Sequence, residues 1–207
     1  TKEQKENGGA AYVYGGYTLT FNYCKFLSCK TNQFGGGFYG FLSKDKQTKV
    51  TPNCYFNYCY FTLCSSKSGG GIYAMTKTGA CQCELQYCQF IGNQATSGTA
   101  LEFVKQSDGT ANVKDDDHGG GGAIFISMKA GKMEHCIFED NFCSNGFGSN
   151  ILHAGRSIAA EKIFRYTNCT FKYSDQTSSS SFHHQYFSTS FTIIFVQCSF
   201  YNLFELS

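Results

Sequence analysis

The strongest constraint on the fold is a three-residue pattern, Cys-x-Phe, that occurs six times in 207 residues. Its cysteines are Cys24, Cys59, Cys88, Cys136, Cys169 and Cys198, and its aromatic residues are Phe26, Phe61, Phe90, Phe138, Phe171 and Phe200. Successive copies are 29 to 48 residues apart. A pattern of uncommon residues at a near-regular period indicates a repeat architecture, in which each repeat packs on the next.

Apolar residues also recur at fixed positions before each cysteine. The side chains five and three residues earlier are mostly apolar, as Leu19 and Phe21 are before Cys24. This alternation of period two is typical of a β-strand. It slips by one residue just before the cysteine, so the sequence predicts two short strands that meet at a corner. Asn22 and Asn57, two residues before their cysteines, are predicted to take the left-handed backbone of that corner.

A third segment, a glycine corner followed by a short apolar strand, lies between the Cys-x-Phe copies. Its copies begin at Gly8, Gly35, Gly69, Gly98 and Gly121, of which the fourth is degenerate. Each repeat thus holds three short strands and three corners. We therefore predict an all-β fold, a right-handed parallel β-helix (β-solenoid) of about six coils with three short strands each.

An antiparallel sandwich with Gly-rich turns is the alternative fold, because it also has a turn about every 8–12 residues. It does not predict one Cys-x-Phe per repeat with matched flanks. In the solenoid, equivalent residues stack, so the six Phe form a ladder beside a ladder of the six Cys. We expect a single domain over 1–207, with a polar N-terminal segment, 1–7, and an acidic loop insertion, 104–118.

The composition excludes several classes of protein. The chain is 42% hydrophobic with a net charge of +2, which is not the composition of a disordered chain. Seventeen Lys and Arg against 15 Asp and Glu leave no basic excess for nucleic acid. No apolar run is long enough for a transmembrane helix. Twelve cysteines are typical of secreted proteins, so we predict an extracellular or cell-surface location.

Two short motifs of the repeats resemble those of a known family. The sequence contains Gly121-Gly122-Ala123-Ile124, Phe90-x-x-Asn93 and Phe138-x-x-Asn141. Pairs of GGA[ILV] and FxxN motifs characterise the polymorphic outer-membrane protein repeats of chlamydiae, and similar right-handed β-helix repeats occur in surface proteins of protists such as trichomonads. The resemblance covers residues 8 to 150 well. It implies an adhesin-like solenoid that is secreted or lies at the cell surface.

The first two repeats depart from this family, because Cys29 and Cys64 stand where it has Asn. These cysteines occupy equivalent corners of adjacent coils, and Cys54 and Cys83 occupy equivalent strand positions. A spacing of about 4.8 Å between coils lies within the Cα range of a disulfide, about 4.4–6.8 Å. Cys29–Cys64 and Cys54–Cys83 are therefore disulfide candidates, although stacked thiols would also fit. For the six-Cys ladder we predict mostly buried free thiols.

Other candidate sites are single features of the sequence. Cys81 and Cys143 have no equivalent in other repeats, and either is a candidate surface thiol. Zinc at Cys81, Cys83 and Cys88 is not predicted, because strand neighbours in a line do not converge tetrahedrally. Asn168, in the triplet Asn-Cys-Thr, is a glycosylation candidate.

The acidic insertion is the densest group of carboxylates. Asp115, Asp116 and Asp117 are the weak candidates for a Ca²⁺ site, since Ca²⁺ prefers oxygen ligands. A solvated loop without metal is the preferred interpretation. We predict no resident metal and no cofactor.

Catalysis is not predicted. Glycoside hydrolysis needs two carboxylates about 5–9.5 Å apart. The strands that follow the glycine corners carry almost no carboxylates, and Glu102 is the exception. A lyase needs a basic residue near a cation, and Arg156 and Arg165 lie away from the aspartates in the repeat register. His183 and His184 are expected in an exposed loop without a role.

The expected function is that of a non-enzymatic extracellular or cell-surface β-solenoid, structural or adhesin-like. Its partners would be a second copy stacked head-to-tail in a filament, further coils of a longer chain, or glycans and proteins of a host cell or matrix. Nucleic acid is not an expected partner. The alternative is a carbohydrate-binding or polysaccharide-degrading β-helix similar to pectate lyases. Tyr23, Tyr58 and Tyr87 are predicted to form an aromatic ladder, outward-facing or at a corner.

Overall fold

Parallel sheets make up most of the described part of the molecule. The computed structural model describes residues 7–43, 51–76, 81–96, 103–105, 111–113, 120–144, 148–154, 162–173, 182–185 and 191–201. Within these ranges the chain is all-β, with 23 strands and no helix. Three parallel sheets have six strands each, and the chain visits them in turn six times. This is the parallel β-helix with three strands per coil that the repeats predict.

The strands are numbered along the chain and grouped here by sheet. Sheet 1 contains β1 (Ala11–Gly15), β4 (Phe38–Leu42), β8 (Ile72–Thr76), β14 (Ile124–Ser127), β18 (Ile151–Ala154) and β21 (Phe182–Gln185). Sheet 2 contains β2 (Leu19–Asn22), β5 (Cys54–Asn57), β9 (Gln82–Gln86), β15 (Ala130–Glu134), β19 (Lys162–Thr167) and β22 (Phe191–Val196). Sheet 3 contains β3 (Lys25–Leu27), β6 (Tyr60–Thr62), β10 (Gln89–Ile91), β16 (Ile137–Glu139), β20 (Thr170–Lys172) and β23 (Ser199–Tyr201).

A small fourth sheet and a hairpin complete the described strands, and neither is predicted from the sequence. Sheet 4 contains β7 (Ser65–Ser66), β11 (Gln94–Ala95) and β17 (Phe142–Cys143), and the antiparallel hairpin contains β12 (Phe103–Lys105) and β13 (Ala111–Val113). Coil 1 is β1–β3, coil 2 is β4–β7, coil 3 is β8–β11, coil 4 is β14–β17, coil 5 is β18–β20 and coil 6 is β21–β23. The hairpin lies in the longest repeat, between coils 3 and 4.

The insertion adds no strand to sheet 1, because β8 pairs directly with β14. The strand predicted after Gly98, over 98–102, lies outside the described residues. The copy that the sequence analysis missed begins at Gly148, which has φ +69° like the other glycine corners and precedes β18. This copy is hard to recognise in the sequence, because it has Gly-Ser where the other copies have Gly-Gly.

The corner between sheets 2 and 3 is made by the residue directly before each repeat cysteine. These residues are Tyr23, Tyr58, Tyr87, His135, Asn168 and Gln197, all with φ between 53° and 56°. The prediction that Asn22 and Asn57 take the left-handed conformation is wrong, because they are the last paired residues of β2 and β5. Instead their side chains stack, and Asn57 Nδ2 donates to Asn22 Oδ1 at 2.9 Å.

The glycine corner requires glycine for two different reasons. Gly35, the first of its pair, has φ +69°, a conformation that L-residues with a Cβ rarely adopt. Gly36, the second, needs space: a Cβ there would lie 2.2 Å from the backbone oxygen of Gly70 in the next coil. Glycine thus turns the chain and allows adjacent coils to approach each other.

The core consists of columns of equivalent side chains. In the predicted Phe ladder, successive ring centroids lie 4.4–5.2 Å apart and their planes differ by at most 14°. Five of its six rings are buried, and Phe200, in coil 6, is 44% exposed. Phe21 and Phe56 stack at 5.0 Å in a second column, which Leu85 and Met133 continue in register. These columns bury apolar area along the length of the coil stack.

A third column explains why Cys replaces Asn in the first repeats. Asn93 is fully buried, and its Nδ2 donates to Phe61 O at 2.8 Å, a carbonyl of the preceding coil. Cys64, one coil earlier, donates from Sγ to the equivalent carbonyl, Phe26 O, at 3.3 Å. The thiol therefore takes over the donor role of the amide at this corner.

Replacing Asn93 with Ala is expected to lower the free energy of unfolding by about 1–3 kcal/mol. The substitution removes the donor to Phe61 O and the acceptor of the Cys64 N–H, at 3.0 Å, so buried backbone groups lose their partners. Urea unfolding followed by circular dichroism measures the change. Asn93→Cys is the matched variant, because it keeps a donor of the kind that Cys64 supplies, and a loss as large as that of Asn93→Ala would contradict this account.

Candidate functional surface: the corner ladder and the end coils

The longest exposed ring stack among the described residues is a ladder at the corner between sheets 2 and 3, here called the corner ladder. It consists of Tyr23, Tyr58, Tyr87 and His135, with successive ring centroids 5.0, 4.8 and 4.7 Å apart. Adjacent planes are within 9° of parallel. The three tyrosines are 73%, 41% and 43% exposed. The structure thus confirms the predicted ladder and extends it by His135.

The rings of the corner ladder cover each other's faces. A sugar that stacks on an aromatic side chain needs an open ring face, and in the middle of this ladder the faces are occupied by the neighbouring rings. What Tyr58 and Tyr87 present to solvent is therefore ring edges and phenol oxygens. This geometry does not favour the stacking mode of carbohydrate binding there.

Coil 1 presents a second group of large exposed side chains, two aromatic and one aliphatic. Tyr12 and Tyr14 on β1 are 53% and 62% exposed, and Leu27 on β3 is 57% exposed. Tyr12 lies over Tyr39 at 5.1 Å and Tyr14 lies over Phe41 at 5.0 Å, with parallel rings in both pairs. Sequence reasoning missed these tyrosines, although the alternation Tyr-Val-Tyr after a glycine corner places both on the face opposite the core.

The strands of the two end coils each pair on one side only within the described residues. β1, β2 and β3 pair with β4, β5 and β6, and β21, β22 and β23 pair with β18, β19 and β20. In a parallel strand, alternate residues direct their N–H and C=O groups to opposite sides. Each end coil therefore offers three edges of the kind that pair another strand.

The column of six repeat cysteines lies beside the Phe ladder, as predicted. All twelve cysteines are thiols rather than disulfides in this structure. Each thiol of the column donates to the carbonyl two residues earlier, and most also to one in the preceding coil, as Cys88 does to Gln86 O at 3.4 Å and Phe56 O at 3.3 Å. Burial raises the pKa of the Cys136 thiol well above its usual value. The four central thiols of the column, those of Cys59, Cys88, Cys136 and Cys169, are buried where a reagent does not reach them, so this column is scaffold.

The disulfide candidates lie in adjacent coils as predicted. Cys54 and Cys83 are register partners in β5 and β9, and Cys29 and Cys64 occupy the same corner of coils 1 and 2. All four are thiols in this structure. Burial raises the pKa of the Cys64 thiol to about 12. Pairing of these cysteines under oxidising conditions stays a prediction.

The prediction of a surface thiol at Cys81 or Cys143 is wrong, because both side chains are buried. Cys81 is fully buried just before β9, and its thiol donates to Thr76 Oγ1 at 3.3 Å. Cys143 is 3% exposed and lies in β17, in register with Ala95 of the fourth sheet. The fourth sheet, which the sequence analysis did not predict, is what places Cys143 inward.

The remaining predicted positions do not come together in one site. Asn168 is partly exposed at its left-handed corner, and its N–H donates to Val196 O at 2.9 Å. Its glycosylation stays a prediction. Asp115, Asp116 and Asp117, the Ca²⁺ candidates, lie outside the described residues, as do Glu102 and Arg156.

The expectation of a loop at His183 and His184 is wrong. Both belong to β21 and pair in register with Leu152 and His153 of β18. Arg165 is an exposed residue of β19. In the described ranges no group of three or more His, Cys, Asp or Glu side chains converges to hold a metal ion, and no helix there is suited to crossing a membrane.

Coil 5 contains a buried polar pair that sequence reasoning missed. His153 is 1% exposed at the core position that Ile126 holds one coil earlier. Its Nε2 lies 2.5 Å from the hydroxyl oxygen of Tyr166, which is fully buried. Burial raises the pKa of Tyr166 well above its usual value. This hydrogen bond lies wholly inside the core, which makes the pair structural.

Fold and surface together define a parallel β-helix protein with stacked aromatic ladders, whose end coils pair on one side only within the described residues. Comparisons with protein-family models, with curated proteins and with solved structures gave no match. The resemblance to the polymorphic outer-membrane protein repeats therefore depends on the short motifs of the sequence.

Proposed function

We propose that this chain is a structural β-solenoid, secreted or at the cell surface, that acts by stacking its end coils on another parallel coil. The observation that carries the proposal is the end of coil 1. There three open strand edges coincide with two ring columns, those of Tyr12 and Tyr14, in which each ring already stacks on a neighbour. A further coil would extend both the backbone ladders and the aromatic columns.

A second copy of the chain has the complementary surface. Coil 6 offers one open edge from each of the same three sheets, in the same order, so its strands can continue those of coil 1. Such a head-to-tail contact joins two different surfaces, and its repetition along the coil axis does not close into a ring. It therefore builds a filament. Further coils of a longer chain would satisfy the same edges and extend the same column.

The outward charged groups support a structural role. Glu134 accepts from Gln86 Nε2 in the preceding coil at 3.0 Å, and it forms an ion pair with Lys132 at 2.8 Å. Glu139 pairs with Lys172 of the following coil. These carboxylates link neighbouring coils through side-chain contacts, as expected for a surface built to hold the stack.

Replacing Thr20 with Pro is expected to abolish end-to-end stacking. The Leu19 N–H donates toward coil 2, to Asn53 O at 2.9 Å, so the N–H of Thr20 faces the open edge of β2. Proline removes that donor, and an edge strand tolerates it because the lost N–H faces away from coil 2, with which β2 pairs. Electron microscopy is expected to show filaments of wild type, with a subunit repeat of about 29 Å for six coils, and short rods of the variant.

Thr20→Val is the matched control, since it changes the same exposed side chain and keeps the N–H. It is expected to form filaments like wild type. Dispersed rods of the wild-type protein at every concentration would overturn self-stacking. Binding of such rods to cells or to glycans would then favour the adhesin-like function instead.

A further inference from the structure

The corner ladder brings together three phenols that the stacking of coils does not require. Rings of Tyr23 and Tyr58 are 5.0 Å apart and those of Tyr58 and Tyr87 are 4.8 Å apart, centroid to centroid. Each of the three side chains is at least 41% exposed. We propose that this ladder is a site of oxidative tyrosine coupling, in which a dityrosine bond joins Tyr58 to Tyr23 or to Tyr87 and links two adjacent coils.

The reaction requires a one-electron oxidant from outside the chain, a peroxidase acting with hydrogen peroxide. Each of two phenols gives up one electron and its phenolic proton, which leaves two phenoxyl radicals. The radicals join through a carbon–carbon bond between ring carbons adjacent to those that carry oxygen. Each joined carbon then passes its hydrogen to oxygen and restores the phenol. In sum, two tyrosines lose two hydrogen atoms and one hydrogen peroxide is reduced to two waters.

Proximity favours coupling within the ladder over coupling between molecules. The three tyrosines have the same left-handed backbone, with φ of 56°, 54° and 53°, so their side chains leave the coils from equivalent points. Adjacent planes differ by 9° and 4°, which places the ring edges side by side. Two reactants held at this distance react as an intramolecular pair, with a high effective concentration.

The other stacked tyrosines lack this combination of proximity and access. Tyr39 and Tyr73 stack at 5.4 Å but are 8% and 1% exposed, so a protein oxidant cannot reach them. Tyr12 is exposed, but its stacked neighbour is the buried Tyr39. On the other side of the ladder His135 follows Tyr87, so coupling is confined to the three phenols.

Peptide mapping can locate the bond, because trypsin places the three tyrosines in three different peptides. Tyr23 lies in 6–25, Tyr58 in 50–67 and Tyr87 in 78–105, where it is the only tyrosine. After treatment with a peroxidase and hydrogen peroxide, mass spectrometry is expected to find 50–67 joined to 6–25 or to 78–105. The mass of the joined peptides is expected to be two hydrogen atoms below the sum of the two separate peptide masses. The yield of the joined peptides is expected not to fall when the protein is diluted.

Tyr58→Phe is expected to remove both linked peptides, because it keeps the stacked ring and deletes the central phenol. Tyr60→Phe is the matched control on the same peptide. Tyr60 is 37% exposed, but its register partners are Lys25 and Gln89, so it has no phenol above or below it. The proposal would be overturned by links that persist in Tyr58→Phe, or by links that are lost in Tyr60→Phe. It would also be overturned by links that disappear on dilution, or by the absence of any link in the wild-type protein.

Discussion

Replacing Phe90 with Ala is expected to lower the free energy of unfolding by about 3–5 kcal/mol, the range for removing a fully buried Phe. Phe90 is 0% exposed and stacks on two rings, Phe61 at 4.9 Å and Phe138 at 5.0 Å. Alanine leaves a ring-sized gap in the Phe ladder, and the tight spacing of the coils limits how far the neighbours can collapse into it. Urea unfolding followed by far-ultraviolet circular dichroism measures the loss.

Phe200→Ala is the matched control in the same ladder. Phe200 is 44% exposed and stacks on Phe171 at 5.2 Å, so alanine there removes less buried area and is expected to cost about 1–2 kcal/mol. Equal losses at the two positions would mean that the central ring does not carry more of the stability than the end ring. The column would then not be the continuous core described here.

The Phe ladder is the part of the fold that the sequence predicts best. A stack of coils places equivalent residues above one another, so a side chain required in every coil repeats in the sequence. Cys-x-Phe repeats once in each of the six coils, so it predicts both the number of coils and the residues of the Phe ladder. The Tyr23, Tyr58 and Tyr87 column was predictable for the same reason, since each precedes a repeat cysteine.

The exact corner residues were harder to predict, because residue preference and hydrogen bonding disagree. Asn tolerates the left-handed conformation better than Tyr does, so residue preference predicts Asn57 rather than Tyr58 as the corner residue. In the structure the backbone pairing of β5 extends through Asn57, so the following residue has to turn. Local preference yields here to the geometry of the sheet, and Tyr58 adopts φ 54°.

The fourth sheet and the missed glycine corner share another cause. The strands of the fourth sheet are two residues long, as in Ser65–Ser66, which is too short for a pattern of period two to be recognised. Gly148 is followed by Ser149, so the motif loses its second glycine. Both features depend on pairing with neighbouring coils, and that pairing is not visible in a single repeat.

Replacing Gly36 with Ala is expected to cost about 3 kcal/mol, the upper end for overpacking, because the atoms in the way belong to the backbone. The added Cβ would lie 2.2 Å from Gly70 O, 2.7 Å from Ser65 N and 2.8 Å from Ser65 O. No side chain can rotate to relieve these contacts, so the backbone of coils 2 and 3 has to move apart locally. The free energy of unfolding, measured as for Phe90→Ala, reports the cost.

Gly92→Asp is the control, since it also adds a side chain at a corner glycine. Gly92 has φ +60°, but its position is equivalent to Leu63 and Asp140, which take φ 53° and 50°. The added Cβ would meet only a flexible Leu63 methyl, so we expect a cost of about 1 kcal/mol, the value for left-handed backbone. A loss at Gly36 no larger than that at Gly92 would contradict this account, because the close approach of adjacent coils would then not be what requires glycine at Gly36.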